Sequence, residues 1–181
     1  YEVEKSDSVD EPNAMTVSTV GLDGFPKSRV VLLKKYTYEG FIFYTNYNSE
    51  KGLAIAENPK ICISFFWSNL ERQIIIKGTA EKLAKNLSDG YFESRPDGSK
   101  LGALVSDQST VIESRTVLDA RLTQLEKEYS GKEIERPEHW GGYLVRPVSM
   151  EFWQGRSNRL HDRIRYTLTD DFDWKMERLA P

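Results

Sequence analysis

Glu151 to Arg163 reads EFWQGRSNRLHDR, and the rest of the chain is best approached from it. Three arginines, a histidine and a tryptophan fall within these thirteen residues. Glu151-Phe152-Trp153 is an extended run, and Leu160 to Leu168 is a second one that alternates apolar and polar residues. Gln154-Gly155-Arg156-Ser157-Asn158 then reads as the turn between two antiparallel strands. Alternate side chains of a strand share a face. Arg159, His161 and Arg163 are therefore expected to point one way, with Leu160 and Asp162 on the other side. Two guanidiniums flanking an imidazole repel one another unless an anion faces them. Two readings fit: a charged edge strand protected against aggregation, or a site for an anionic, planar ligand beside the flat surface of Trp153.

Working outward, strand signals recur on both sides. Ala14 to Val20 and Ser28 to Tyr36 flank the turn Leu22-Asp23-Gly24 and read as a hairpin. Phe41 to Thr45 follows Glu39-Gly40. Ser49 is a good N-cap for a helix over Glu50 to Glu57, closed by Asn58-Pro59. Ile61 to Trp67 and Glu71 to Leu83 are two further strands joined by Ser68-Asn69-Leu70. The middle is helical: Lys85 to Ser94, a short helix capped by Ser99 and running through Val105, and Arg115 to Tyr129 with a packing stripe of Leu118, Leu122, Leu125 and Tyr129. Strands return at Gly142 to Val148, Met150 to Trp153, Leu160 to Leu168 and Trp174 to Leu179. Strand following strand predicts a mainly β fold with α, an antiparallel barrel of about six or more strands with peripheral helices. Residues 1–13 form a polar lead-in and residues 14–181 a single domain in this reading.

Composition limits the function classes. The 181 residues are 39% hydrophobic and 29% charged, with a net charge of −3. That is ordinary for a soluble domain and argues against a nucleic-acid binder, which is usually basic. No apolar run approaches the roughly 18 residues of a membrane span, and no signal peptide is visible. The one cysteine, Cys62, lies in the apolar run ICISFFW and reads as a small core residue; a lone thiol is compatible with a reducing cytoplasm. Two histidines and one cysteine make a nitrogen or sulfur metal site an unfavoured reading. There is no GxGxxG, CxxC or GxSxG. What remains are polar residues at strand and helix ends: Arg29, Lys34, Lys51, Arg95, Ser99 and Gln108-Ser109. A helix N-terminus with a nearby cation is a phosphate site in the making, and a guanidinium holds phosphate with two hydrogen bonds.

The combination is more specific than its parts. RVVLLK (Arg29–Lys34), FYTN (Phe43–Asn46), ERQ (Glu71–Gln73), YFESRP (Tyr91–Pro96), SDQS (Ser106–Ser109), WGGY (Trp140–Tyr143), EFWQG (Glu151–Gly155), RLHDR (Arg159–Arg163) and a terminal ERLAP (Glu177–Pro181) occur in this order. From Asn13 to Pro181 the chain resembles the pyridoxine/pyridoxamine 5′-phosphate oxidase family. The resemblance implies an FMN-binding split barrel, a homodimer whose two subunits share each active site, and FMN as cofactor. It implies that Arg29, Val30, Val31, Leu32, Leu33 and Lys34 line the flavin, with Arg29 and Lys51 on its phosphate. Tyr44, Thr45, Gln73, Gln108, Ser109, Trp153 and Arg163 match further FMN contacts. Lys34, Tyr91, Arg95 and Ser99 match a pocket for the substrate phosphate, and Arg159 and His161 the residues that hold the pyridine ring against the flavin. The implied reaction passes a hydride from the 4′ carbon of pyridoxine or pyridoxamine 5′-phosphate to FMN. Oxygen then reoxidises the flavin and gives hydrogen peroxide, with ammonia released from the amine.

Two features qualify the match. Many members carry a basic residue before the phosphate lysine, whereas Ser49-Glu50-Lys51 sets a negative charge there. The sequence separation of Arg29–Lys34 from Gln108–Ser109 is expected to need two subunits to close over one flavin. An FMN-dependent reductase on the same barrel, or a non-catalytic carrier of FMN or pyridoxal phosphate, stays open at this point.

Overall fold

A computed structural model describes residues 9–181; the first eight residues of the expected lead-in lie outside the described residues. Nine strands and four α-helices follow in chain order. They are β1 (Ala14–Val20), β2 (Pro26–Leu32), β3 (Lys35–Thr37), β4 (Gly40–Asn46), α1 (Glu50–Glu57), β5 (Lys60–Trp67), β6 (Arg72–Lys82), α2 (Lys85–Glu93), α3 (Asp97–Val105), α4 (Arg115–Glu128), β7 (Trp140–Gln154), β8 (Asp162–Leu168) and β9 (Trp174–Arg178).

All the strand pairings are antiparallel. The main path runs β2-β1-β5-β6-β7-β4-β3, with β8 and β9 added beyond β7. The path begins and ends on strands that are neighbours in the chain, since only Leu33 and Lys34 separate β2 from β3. Leu32 and Lys35 are three Cα steps apart, at most about 11 Å, so the two ends of the sheet path come together at this corner and the sheet curls toward a barrel. The expected single strand over Ser28 to Tyr36 is therefore two strands with a corner between them. At that corner Leu33 donates its N–H to Asn13 O (2.8 Å) and Lys34 donates to Ile42 O (2.9 Å). Asn13 Nδ2 also donates to Leu33 O (3.1 Å), and Trp67 Nε1 donates to Pro12 O (3.1 Å), so Pro12 and Asn13 are tied to the barrel.

β7 is one strand of fifteen residues where the sequence suggests two. Along one edge it pairs β6 from Tyr143 to Gln154. Along the other it pairs β4 through Trp140–Val145, and then β8 through Ser149–Gln154. The change of partner falls at Arg146-Pro147-Val148, where Pro147 has no N–H to offer a neighbour. Opposite it the register shifts between Lys77 and Gly78, a bulge. A side chain at Gly78 would meet Arg146 O at 2.5 Å, so the bulge is closed by a residue without Cβ.

Period-two burial fills the barrel. β1 buries Met15, Val17 and Thr19 in alternation, and these pack with Phe43, Ile63, Phe65, Ile76 and Val145. A second cluster of Phe92, Leu101, Ala103, Ile134 and Trp140 joins α2 and α3 to the start of β7, with Leu122, Leu125 and Tyr129 of α4 packed on its flank. The α4 stripe is thus a packing feature, although no residue of that helix is fully buried. Cys62 is half-buried, and burial raises its thiol pKa, with Lys77 partly opposing.

Helix α1 starts and ends where its local signals put it. Ser49 Oγ accepts from Gly52 N (3.3 Å) and donates to Asn46 O (2.7 Å), while Asn58 N returns to Ala54 O (2.8 Å). The first turn packs tightly, and a Cβ at Gly52 would stand 2.1 Å from Tyr47 O. Gly52→Ala is expected to destabilise the protein by about 2 kcal/mol despite the roughly 1 kcal/mol that Ala gains in helix propensity. Urea unfolding of the two proteins checks the sign: a more stable variant would show that the close approach relaxes freely.

Candidate functional site

A cleft of about 1260 Å³ opens between β2, the end of β4, the N-terminus of α1, and the α2–α3 corner with the loop after it. Of the sequence-predicted site residues it takes in Arg29 through Leu32, Lys34, Tyr44, Thr45, Lys51, Tyr91, Arg95, Ser99, Gln108 and Ser109. Gln108-Ser109 thus reaches the β2 residues within a single chain, contrary to the expectation that two subunits are needed. The loop is tied down from β4 and α1: Asn46 Nδ2 donates to Ser106 O (3.3 Å), and Thr45 Oγ1 to Gln108 Oε1 (3.2 Å). Ser109 takes a left-handed backbone, φ 75°, at the point where the loop enters the cleft.

Cations dominate the cleft. Lys51, 7% exposed, donates to Gln108 Oε1 (3.1 Å), Thr45 Oγ1 (3.2 Å) and Ser49 Oγ (3.3 Å). No carboxylate among the described residues pairs with it. Burial pushes its pKa down, Arg29 adds to the effect, and Glu50 partly opposes it. Arg29 sits alongside, its Nη1 donating to Thr19 Oγ1 (2.8 Å) and Lys27 O (3.0 Å), with its own pKa lowered by burial. Glu50 does not stand uncompensated beside this pair. It meets Lys27 Nζ at 2.6 Å and Arg29 Nη2 at 3.8 Å. The negative charge that the sequence sets beside Lys51 is therefore held by Lys27, a cleft residue that sequence reading did not single out.

A separate cation stands at the α2–α3 corner. Burial lowers the Arg95 pKa, and Arg95 Nη1 is buried with no hydrogen-bond partner. The guanidinium lies 4.5 Å over the ring of Trp140, which stacks in turn with Tyr44 and Tyr91. Ser99 is not the N-cap of its helix. Pro96 holds that position, and Ser99 N closes the first turn onto Pro96 O (2.9 Å). Trp140 was missed as a site residue, although it heads the quoted WGGY run.

The other predicted residues lie elsewhere. Gln73, Trp153 and Arg163 are directly opposite one another on β6, β7 and β8, and so form one cross-strand row. Arg163 Nε donates to Glu151 Oε1 (2.8 Å) and Nη1 to Ala180 O (2.9 Å), which fastens the terminal RLAP to β8. Leu33 faces away from the cleft into an apolar depression with Phe65, Trp67, Met150 and Phe152, which Gln73 and Trp153 also border.

Arg159, His161 and Arg163 do not share a strand face. β8 begins only at Asp162, opposite Gln154. Before it, Asn158 (φ 58°) and Arg159 (φ 61°) both take left-handed backbone, which turns the chain out of the extended path. His161 still reaches Trp153, ring centroids 4.7 Å apart, and its Nδ1 accepts from Arg156 N (3.1 Å). In the neutral ring that leaves the proton on Nε2. The Arg159 side chain has no hydrogen bond or ion pair among the described residues, whereas Arg156 and Arg178 are both engaged by Asp162 (2.8 and 2.7 Å). One chain thus carries a cationic cleft and, apart from it, a row of Gln73, Trp153 and Arg163 with His161 and Arg159 at its end.

Comparison with known proteins agrees with this architecture. Residues 3–129 match the family model described as pyridoxamine 5′-phosphate oxidase, and residues 140–181 match a pyridoxine 5′-phosphate oxidase C-terminal dimerisation region. A pyridoxine/pyridoxamine 5′-phosphate oxidase of Flavobacterium psychrophilum is 70% identical over 181 residues, covering 100% of this chain and 85% of the relative. One of Flavobacterium johnsoniae is 67% identical over 180 residues, covering 99% and 84%. The crystal structure of PhzG from Burkholderia lata, in complex with tetrahydrophenazine-1-carboxylic acid, superposes with a TM-score of 0.89 at 33% identity, covering 96% of this chain and 84% of that one. An FMN-binding protein from Nostoc punctiforme shares the fold at a TM-score of 0.78 and 16% identity, covering 99% and 93%. With a curled antiparallel barrel, a cationic cleft and relatives of this identity over its whole length, the chain belongs to the pyridoxine/pyridoxamine 5′-phosphate oxidase family.

Proposed function

We propose that the protein oxidises pyridoxine 5′-phosphate or pyridoxamine 5′-phosphate to pyridoxal 5′-phosphate, with FMN as cofactor and oxygen as the final acceptor, acting as a homodimer. The observation that carries this reading is the pair of separate, partly desolvated cationic positions in one cleft. Lys51 with Arg29 is one and Arg95 is the other. Arg29 meets only the half-exposed Glu50, at 3.8 Å, whereas among the described residues Lys51 has no ion pair and Arg95 Nη1 no hydrogen-bond acceptor. Buried charge without a partner is costly, so the arrangement fits two anionic ligands, a phosphorylated cofactor and a phosphorylated substrate. Lys51 in the first turn of α1 adds its charge to the helix N-terminus. When bound, FMN supplies the hydride acceptor for the 4′ carbon and passes the electrons to oxygen, giving hydrogen peroxide.

The residues divide the work. Lys51, Arg29, Thr45, Gln108 and Ser109 hold the cofactor phosphate and its chain, and Arg29 through Leu32, with Tyr44, line the flavin. Arg95, Tyr91, Ser99 and Lys34 take the substrate phosphate. Gln73, Trp153 and Arg163 cover the flavin from the second subunit, and Arg159 and His161 hold the pyridine ring at van der Waals distance from it. The free guanidinium of Arg159 and the Nε2–H of His161 are suited to that role. The match to a dimerisation region over 140–181 supports the homodimer, and the apolar depression around Leu33, Trp67 and Phe152 gives a second subunit a surface to cover. Because strands from both matched regions pair in one sheet, we treat residues 14–181 as one functional domain. A cytoplasmic location is part of the proposal on the sequence grounds already given. The PhzG likeness motivates a second reading, a planar ring acid as substrate, with Arg95 or Arg159 on its carboxylate.

Anaerobic mixing of the FMN-loaded protein with pyridoxamine 5′-phosphate is expected to bleach the flavin absorbance in a single turnover. Absorbance that persists at saturating substrate would overturn the proposed reaction and leave a carrier or a different substrate.

The division between subunits is open to complementation. Arg95→Ala and Arg159→Ala, each nearly inactive alone at substrate concentrations well below the variants' KM, are expected to regain about one quarter of wild-type activity under those conditions when co-expressed, because half the dimers are mixed and each mixed dimer has one intact site. Mixed dimers with no activity would place both residues of a site in the same subunit.

Lys51→Met is expected to weaken FMN binding at least 10-fold, by about 1.5–3 kcal/mol, while stabilising the FMN-free protein by about 1 kcal/mol through loss of a buried charge. The folded-state pKa of Lys51 is depressed, so its charge destabilises the apo fold below that pKa, and the cost fades as pH rises toward the unfolded value. The stability gap between the two apo proteins should accordingly narrow as pH rises toward the unfolded lysine value of about 10.4. Denaturant midpoints measured at pH 7 and pH 10 test this, and a gap that widens at high pH would refute it.

A further inference from the structure

Trp140 takes no part in the contacts assigned above, yet it is 8% exposed and forms a wall of the cleft. Its ring lies nearly parallel to those of Tyr44 (5.5 Å, 12°) and Tyr91 (6.3 Å, 6°), and Tyr44 and Tyr91 stack at 3.8 Å. Phe92 packs edge-on against it at 5.3 Å. Its backbone is fixed as firmly. Arg136, itself held to Asp89 at 2.7 Å, donates from Nη1 to Trp140 O at 2.5 Å, and Trp140 N donates to Pro137 O at 3.0 Å. Over this immobile ring, at 4.5 Å, lies the Arg95 guanidinium, with Phe92 further off at 5.6 Å. Among the described residues Arg95 has no ion pair and no side-chain hydrogen bond, so aromatic faces are what hold it.

That choice of partner has a chemical consequence. A carboxylate would position Arg95 equally well, but it would occupy the N–H donors and cancel the charge that an incoming phosphate needs. The face of an indole attracts the cation through its quadrupole and leaves the edge of the guanidinium, with its fork of donors, open. We propose that Trp140 is a positioning residue that holds Arg95 un-neutralised for the substrate phosphate, and thereby sets the preference for phosphorylated over unphosphorylated substrates. The inference rests on the reading in which Arg95 binds that phosphate.

The test is steady-state kinetics of the FMN-loaded enzyme with pyridoxamine 5′-phosphate, using unphosphorylated pyridoxine as competitive inhibitor and flavin fluorescence for the FMN Kd. Trp140→Leu is expected to raise KM about 10- to 30-fold, the size of a desolvated cation–π contact, with kcat, the Ki of pyridoxine and the FMN Kd each within about 3-fold of wild type. Trp140→Phe, which keeps a π face, should raise KM no more than about 3-fold. Trp140→Met, whose flexible chain refills the space, serves in place of Leu if that variant does not fold. Unchanged KM in the aliphatic variants, an equal rise in Trp140→Phe, or a matching rise in the pyridoxine Ki would each overturn the proposal. Arg95→Ala separates the two levels. If it leaves KM unaltered, the assignment of Arg95 itself fails; if it raises KM while the Trp140 variants do not, only the role of Trp140 fails.

Discussion

The strand β7 carries the constraint on which the rest depends. Its fifteen residues must satisfy one partner along one edge and two along the other, first β4 and then β8. Hydrogen-bonding groups of a sheet cannot be left open inside a protein, so the handover at Pro147 is made at the residue that has no N–H to lose. Everything before it closes the barrel and everything after it builds the β8–β9 extension. Trp140 at one end of the strand faces the cationic cleft, and Trp153 near the other end belongs to the row with Gln73 and Arg163. The strand keeps these two groups apart within a chain, which is why the proposed site draws on two.

Charge in the cleft is distributed by depth. The exposed pairs, Lys27 with Asp23 and Glu50, are screened by water and add little to stability. The buried cations Lys51 and Arg95 are instead held by neutral groups: amide and hydroxyl oxygens for one, aromatic faces for the other. Neutral supports orient a charge without consuming it. The desolvation cost of two such cations is what the proposed anionic ligands would offset.

The fold was legible wherever the signal is local. Ser49 and Asn58-Pro59 bound α1, and the alternation in Ala14–Val20 bounds β1, because a cap or a period-two run needs no tertiary information. Legibility failed where distant partners decide. The sequence suggests a break between Val148 and Met150, yet β6 carries β7 through it. Ser99 reads as a cap, but Pro96 two residues upstream of Gly98 starts that helix. Leu33 was grouped with its neighbours in RVVLLK, and the corner between β2 and β3 turns it to the opposite side. The face shared by Arg159, His161 and Arg163 assumed an extended backbone. Two successive non-glycine residues at positive φ are rare, and no side-chain pattern announces them. Sequence separation does not reveal that Gln108 lines the same cleft as Arg29, because the path of the loop after α3 is fixed by Asn46 and Lys51 rather than by anything in SDQS itself. The motifs supplied the residue types of the site, and the topology decided which of them meet.

The half-buried thiol of Cys62 bears on chemical durability. Peroxide attacks the thiolate form of cysteine, and the oxidation ladder beyond sulfenic acid is not reversed. Burial in β5 raises the pKa of this thiol and so keeps it protonated. The chain holds no second cysteine with which an oxidised sulfur could condense. A catalyst that releases hydrogen peroxide at its own surface, as proposed here, would wear itself out through any exposed, acidic thiol. Placing its one sulfhydryl in a strand of the barrel, where burial favours the protonated form, would protect such a catalyst against the by-product of the proposed turnover.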